Sequence, residues 1–233
     1  MSRVCLITGG TRGIGYAVAE ALLRAGDTVA ITGTTNDGVI KAEHALASHG
    51  QVVGIVADVR DPGAIELAMR TVVSRFGGLD VLINCAGVGV GAPVSDLPHD
   101  EWDRIIGINL TGVFNCCRAA IPHLRTRGGG WIINISSLSS TGPFPGGAAY
   151  VASKAGVNAF SDALMQELRY DNIRVSYIMP GSVAAGFSSN DESKGADWKI
   201  APADIADVVL NLLRHHPRSL PSRVEIRPSK PRK

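Results

Sequence analysis

Tyr150 and Lys154 stand four residues apart in Tyr150-Val151-Ala152-Ser153-Lys154, a spacing that puts a phenol and an ammonium on one helix face. A cation beside a tyrosine favours the phenolate and lowers a pKa that is ordinarily about 10. A tyrosine tuned in this way can exchange a proton with an alcohol or carbonyl oxygen near neutral pH. The same spacing occurs on ordinary surface helices, so its meaning comes from its company. A glycine-rich turn, Thr8-Gly9-Gly10-Thr11-Arg12-Gly13-Ile14-Gly15, stands near the start of the chain, and a serine-rich stretch, Asn134-Ile135-Ser136-Ser137, lies just upstream of Tyr150.

The glycine turn falls where a first apolar run becomes a helical one. Gly9, Gly13 and Gly15 allow a sharp turn and a close backbone approach. The free N–H groups of the helix that follows suit a pyrophosphate, which points to a dinucleotide. The second strand ends Ile31-Thr32-Gly33-Thr34-Thr35-Asn36, with no acid in the place that would hold the ribose 2′-hydroxyl of NAD. Arg12 and Thr34 suit a 2′-phosphate instead. NADP(H) is the preferred cofactor on this reading. NAD(H) stays open, because a loop shift would let Asp37 take the acidic role, and Arg12 would then be a solvated charge.

The elements that must hold these groups alternate along the chain. Strand-like runs are Arg3–Thr8, Thr28–Thr32, Val52–Val56, Val81–Ile83, Trp131–Ile135, Arg174–Met179 and Arg223–Ile226. Helical stretches are expected at Gly13–Ala25, Val39–Ser48, Ala64–Phe76, Asp100–Thr126, from about Tyr150 to Tyr170, and at Pro202–Leu213. Strands that are uniformly apolar belong to a parallel sheet covered on both faces. The expected architecture is an α/β, doubly wound, Rossmann-type parallel sheet of about seven strands with helices on both faces. Its ligand would sit beyond the carboxyl ends of the strands.

Composition narrows the setting. The 233 residues carry a net charge of +2 and 45% hydrophobic residues, enough for a core without disulfides and too weakly basic for a nucleic-acid partner. No linker or repeat interrupts residues 1–233, so one domain is expected to hold both cofactor and substrate. The basic tail, residues 227–233, reads as a frayed end. Cys5, Cys85, Cys116 and Cys117 lack metal-ligand spacing, so buried thiols and no metal are expected. No signal-like or bilayer-spanning run is read from the sequence, and a cytoplasmic setting without a membrane partner is expected.

Taken in order, these motifs resemble the short-chain dehydrogenase/reductase family over about residues 3 to 185, in its compact single-domain branch. Thr8 to Gly15 is similar to the family's Thr-Gly-x-x-x-Gly-x-Gly, and Asn84-Cys85-Ala86-Gly87 to its Asn-Asn-Ala-Gly. Tyr150 to Lys154 matches Tyr-x-x-x-Lys, and Pro180-Gly181 the Pro-Gly after the sixth strand. The resemblance is strongest to carbonyl and 3-oxoacyl-acyl-carrier-protein reductases. It implies a tetrad of Asn109, Ser137, Tyr150 and Lys154. Ser137, thirteen residues before Tyr150, is selected by family spacing over Ser136, Ser139 and Ser140. Ser137 would hydrogen-bond the substrate oxygen. Tyr150 would be the acid/base, and Lys154 would lower its pKa and hold the nicotinamide ribose. Asn109 would anchor a water relaying protons to the lysine. Nucleotide contacts are expected at Gly9, Thr11, Arg12, Gly13, Ile14, Gly15, Thr34, Asp58, Val59, Asn84, Ala86, Gly87, Tyr150, Lys154, Pro180, Gly181 and Val183. Asp58 could equally serve as a helix cap or turn residue.

Ala185 stands where the family often has a threonine, a loss that would weaken cofactor binding or move the contact to Ser182 or Ser188. The closing Asp-Gly-Gly of relatives is absent, so assembly as a homodimer or homotetramer is an expectation only. Ala184–Trp198 reads as a substrate lid or a plain surface loop, and Val88, Val90, Leu138, Phe144, Phe187 and Trp198 as apolar pocket walls. The expected reaction is NADP-dependent reduction of a ketone or aldehyde, with 3-oxoacyl thioesters among the substrates. The alternatives are NAD-dependent oxidation of an alcohol or polyol, and a nucleotide-sensing protein without turnover.

Overall fold

Every residue of Val4–Thr8 is buried, because this strand, β1, lies mid-sheet with helices over both faces. The computed structural model describes residues 2–89, 91–185 and 196–231. Six further strands follow: β2 (Thr28–Gly33), β3 (Val52–Val56), β4 (Val81–Asn84), β5 (Gly130–Ile135), β6 (Ile173–Pro180) and β7 (Arg223–Ile226). All pair in parallel in one seven-stranded sheet of order β3-β2-β1-β4-β5-β6-β7. The chain thus forms the doubly wound sheet expected of it. The order reverses between β1 and β4, and the register there aligns Thr8 with Asn84, and Asn84 with Asn134. Three site-bearing strand ends therefore lie side by side at the switch point, where such sheets open a crevice.

The helices are α1 (Gly13–Arg24), α2 (Asn36–Leu46), α3 (Pro62–Phe76), α4 (His99–Ile106), α5 (Gly112–Thr126), α6 (Ala148–Leu168) and α7 (Pro202–Arg214). Alternate strand residues supply two cores. Leu6, Leu82, Ile132 and Val175 pack with Met69 and Val72 of α3, Cys116 and Ala120 of α5, and Val157 and Leu164 of α6. Cys5, Ile7, Ile83 and Ile133 face Val18 and Leu22 of α1 and Ile205 and Val209 of α7. Emptying such a fully buried leucine position to alanine costs about 2–5 kcal/mol.

Three sequence expectations need correction. Helix α2 begins at Asn36, earlier than the apolar pattern places it, with Asp37 exposed in its first turn, where a carboxylate complements the helix dipole. The tail does not fray at once: Arg227 pairs with Glu225 at 2.8 Å, the Gly181 amide donates to Ile226 O, and Pro228 lies against Gly181. The run His99–Thr126 is long and apolar enough to cross a bilayer, a stretch the sequence reading missed. Its apolar face is committed to the core through Val113, Cys116, Cys117 and Leu124. That run also changes pitch midway. Gly107–Thr111 forms a π-helical turn between α4 and α5, with Asn109 buried inside it, an irregularity that often marks functional positions.

Candidate active site

The glycine turn between β1 and α1 is built by leaving atoms out. Gly9 and Gly13 have φ of 66° and 57°, a region in which a side chain is strained. A Cβ on Gly9 would meet Ala86 Cα at 2.8 Å, and one on Gly15 would meet Gly9 O at 2.4 Å. Arg12 occupies the N-cap of α1 in extended conformation without capping through its side chain, and the first helical turn holds no acid. The Gly15 amide donates to the Cys85 thiol. Burial pushes that thiol up to about 11, against the opposing pull of Lys154. An uncapped helix start without a carboxylate, above a cradle that any Cβ would fill, fits a pyrophosphate. Thr34 follows β2 directly and is exposed, as is Arg12. Thr11 packs against Gly33, and Ile14 leans on the core.

Thr8 ties this turn to the next strand end, since its hydroxyl accepts from the amides of Cys85 and Ala86, both at 3.1 Å. Gly87 follows, and a Cβ there would lie 3.4 Å from Asn109 Oδ1 and 3.5 Å from Lys154 Nζ. Asn84 does not present its side chain to this crevice. It is 2% exposed, and its Nδ2 donates to Asn134 Oδ1 at 2.8 Å. Strand alternation turns it inward, so only its main chain is available to a ligand. Val59 is likewise core: it packs on Gly112, and its carbonyl accepts from Asn115. Asp58 is bound by Arg60 at 2.6 Å, which lowers its pKa. The cap of α3 is Asp61, which accepts from the Gly63 and Ala64 amides.

The catalytic candidates come together at the ends of β5 and α6. The Ser137 hydroxyl stands beside Tyr150 and favours its phenolate. Ser137 also accepts from the Ser139 amide at 3.1 Å. Ser136 points the other way, toward Asn158 Oδ1 at 2.6 Å. Lys154 Nζ donates to Ile135 O at 2.8 Å and lies 5.9 Å from the Tyr150 ring centroid. Burial lowers the lysine to about 8.

The expected electrostatics do not hold at Tyr150. Its pKa is raised by burial, with the Ser137 hydroxyl acting in the opposite direction. Spacing brought the ammonium near, but the tyrosine is desolvated, and one of the three lysine protons is given to Ile135 O. Asn109 is also committed: Oδ1 accepts from the Val88 amide at 2.8 Å, and Nδ2 donates to Val88 O and to Ser153 Oγ. Its side chain therefore staples α6 to the loop after β4. Both protons of its amide are thereby used, which leaves a lone pair of Oδ1 as the side chain's remaining capacity for the water expected there.

On the far side, Pro180 is buried and Val183 bridges Ile200 in parallel. Ala185 O lies 3.2 Å from where a Gly13 Cβ would be, so this segment reaches the glycine turn even without the family's threonine. Val90, Phe187, Ser188 and most of the expected lid lie outside the described residues. Leu138, Phe144 and Trp198 are at least partly exposed near the Ser137 loop or the strand ends. Among the described residues no cluster of His, Cys, Asp and Glu could hold a metal ion. Sequence reasoning missed Thr8 as the link between loops and Asn158 behind Ser136. A threonine closing a strand is a faint signal for the first, and nothing local announces the second.

Known proteins resemble this chain in sequence and in fold. A family model described as short chain dehydrogenase matches residues 3–195. D-beta-hydroxybutyrate dehydrogenase of Rhizobium meliloti is 38% identical over 78% of this chain and 72% of its own length. The 3-oxoacyl-acyl-carrier-protein reductase of Staphylococcus aureus is 35% identical over 83% and 80%. Among solved structures, an alcohol dehydrogenase from Thermococcus sibiricus complexed with 5-hydroxy-NADP superposes with a TM-score of 0.92 at 28% identity, covering 100% of this chain and 99% of that one. A metagenomic short-chain oxidoreductase in complex with NADP gives 0.85 at 35% identity, covering 98% of each.

Proposed function

We propose a reaction from one premise: this chain belongs to the short-chain dehydrogenase/reductase family, whose enzymes act on hydroxyl and carbonyl groups. The reaction is reduction of a ketone or aldehyde, with NADPH as the cofactor. The nucleotide, when bound, supplies the hydride. Ser137 holds the carbonyl oxygen through its hydroxyl and stabilises the negative charge that develops there. Tyr150 delivers its phenolic proton to that same oxygen. Lys154, buried with its ammonium at Ile135 O, is placed to hold ribose hydroxyls and to replenish the proton on Tyr150. Asn109 fixes α6 through Ser153. The glycine turn and the start of α1 take the pyrophosphate, while Arg12 and Thr34 take the 2′-phosphate.

The observation that carries this reading is the Ser137 hydroxyl beside Tyr150, with Lys154 one turn further along the same helix and 5.9 Å from the tyrosine ring. The NADP preference is supported by the lack of an acid at the end of β2, by Asp37 being drawn into the first turn of α2, and by the NADP-type ligands named for two similar structures. A 3-oxoacyl thioester is the first substrate to test, on the strength of the Staphylococcus aureus relative. The hydroxybutyrate dehydrogenase relative supports a second reading, oxidation of a hydroxy compound at the same site. One domain carrying both sites, working as a dimer or tetramer in the cytoplasm, completes the proposal. Four free cysteines are consistent with that reducing setting.

The decisive experiment assays ketones, 3-oxoacyl thioesters and hydroxy acids with both nicotinamides, on the wild type and on Tyr150→Phe. Loss of turnover with unchanged NADPH affinity supports the mechanism. NADPH oxidation that survives the substitution undiminished rules it out.

A further inference from the structure

Tyr150, Lys154 and Asn158 recur every fourth residue along α6 and so run down one stripe of that helix. The first two face the reaction, and the third touches the loop that carries Ser137 from behind. Asn158 Oδ1 accepts from Ser136 Oγ at 2.6 Å. Its Nδ2 donates to Ser140 Oγ at 2.8 Å and reaches Met179 Sδ at 3.4 Å. Ser140 Oγ in turn lies 2.6 Å from Ser137 O.

Proton counting fixes the directions. A serine hydroxyl has one proton to give, and that of Ser136 goes to Asn158 over the shorter of its two contacts, the other being Lys154 O at 3.2 Å. Ser140 accepts from Asn158 and spends its own proton on the Ser137 carbonyl. The amide thus closes a ring through Ser136, Ser140 and Ser137. Helix α6 then grips Ile135 through Lys154 and Ser136 through Asn158, and holds Ser137 at second hand through Ser140, which Asn158 binds. With its main chain pinned on that side, Ser137 turns its hydroxyl to Tyr150.

We propose that Asn158 is a positioning residue that holds Ser137 against Tyr150, and that turnover, not nucleotide binding, depends on it. The inference rests on the reading of Ser137 and Tyr150 as the donor pair of the reaction. A hydrogen bond between two side chains on separate elements is sensitive to small shifts of either backbone, and a misplacement of about 1 Å can cost on the order of 100-fold in rate.

Asn158→Leu removes the amide with little change in size. The expected result is a fall in kcat of about 10- to 100-fold, with the Kd for NADPH, read from nucleotide fluorescence, within about threefold of wild type. In a double-mutant cycle, Asn158→Leu added to Ser137→Ala changes kcat by less than about threefold, because the residue it positions is already gone. A second readout needs no substrate: Tyr150 ionisation followed by phenolate absorbance, isolated as the difference from Tyr150→Phe. Losing the Ser137 bond moves that ionisation to higher pH in Asn158→Leu and in Ser137→Ala alike, with no further movement in the pair. Should Asn158→Leu not fold, Ser140→Ala, which deletes the donor to Ser137 O, is carried through the same cycle.

Equal losses of kcat with and without the Ser137 hydroxyl would overturn the inference, as would an unmoved Tyr150 ionisation. Tyr150→Phe retaining turnover while the ionisation still shifts in Asn158→Leu would sink the reaction mechanism and leave the positioning role intact.

Discussion

The two halves of the crevice are built from opposite materials. At the β1–α1 turn the working surface is main chain, and what matters is the absence of side chains: positive φ at Gly9 and Gly13, and no space for a Cβ at Gly9 or Gly15. At the ends of β5 and α6 the working surface is a mesh of side chains, in which Ser136, Ser137, Ser140, Asn158, Tyr150 and Lys154 are tied to one another or to nearby carbonyls. A charged, extended ligand such as a dinucleotide needs many N–H groups at close range, which only bare backbone offers. Proton transfer needs a few groups at set distances, which only interlocked side chains offer. The first half should therefore be broken by adding atoms and the second by taking them away.

Removal on the side-chain half should give the largest effect. Tyr150→Phe deletes one oxygen and is expected to lower kcat by about 10²–10⁴-fold while NADPH affinity is kept, measured by steady-state kinetics beside direct nucleotide titration. Addition on the backbone half comes next. Gly9→Ala forces a Cβ toward Ala86 Cα at a left-handed position and should cost about 1–3 kcal/mol of folding stability. Its mark is a weakened NADPH Kd with any residual kcat at saturation preserved. Were Gly9→Ala to cut kcat and spare the Kd, the division between the halves would fail.

A smaller effect tests the rim of the backbone half. Thr34→Asp places a carboxylate where the 2′-phosphate is expected and should shift the NADPH-over-NADH preference by about tenfold or more toward NADH. An unchanged ratio of kcat/KM would move the phosphate site elsewhere. The smallest effect is on stability. Burial lowers Lys154 from an ordinary 10.5 to about 8, so between those values the unfolded chain holds a proton that the folded protein lacks. Stability must then rise as pH climbs from about 8 to 10.5, and the cost of the buried ammonium is carried in full below 8. Lys154→Met should be more stable than wild type at pH 7 by on the order of 1–3 kcal/mol, with the gap closing toward pH 10.5 in denaturant titrations. The same substitution should abolish turnover.

The backbone half was the more legible of the two in the sequence. Glycines at Gly9, Gly13 and Gly15 report directly on φ and on close approach, and uniformly apolar strands announce a covered parallel sheet. Tyr150 and Lys154 were legible because helical spacing is a statement about direction. Spacing says nothing of solvation, which is why the raised pKa of Tyr150 ran against expectation. Nor does it say which way a polar strand residue turns, and Asn84 went inward to Asn134. Asn158 left no trace, since an asparagine within a helix has no local signature, and its partners come from the loop after β5 and from β6. The start of α2 was misplaced for a related reason: apolar periodicity marks the buried face of a helix and is silent about an exposed first turn.

The outermost strand carries a last consequence. Arg223 at the start of β7 and Arg227 just past its end both clasp Glu225, at 2.8 Å each, so this edge of the sheet is lined with hydrated ions. An unprotected margin would template a neighbour's backbone and invite fibrils. Charge along that seam opposes such growth, so the ion cluster around Glu225 keeps the strand from becoming a template.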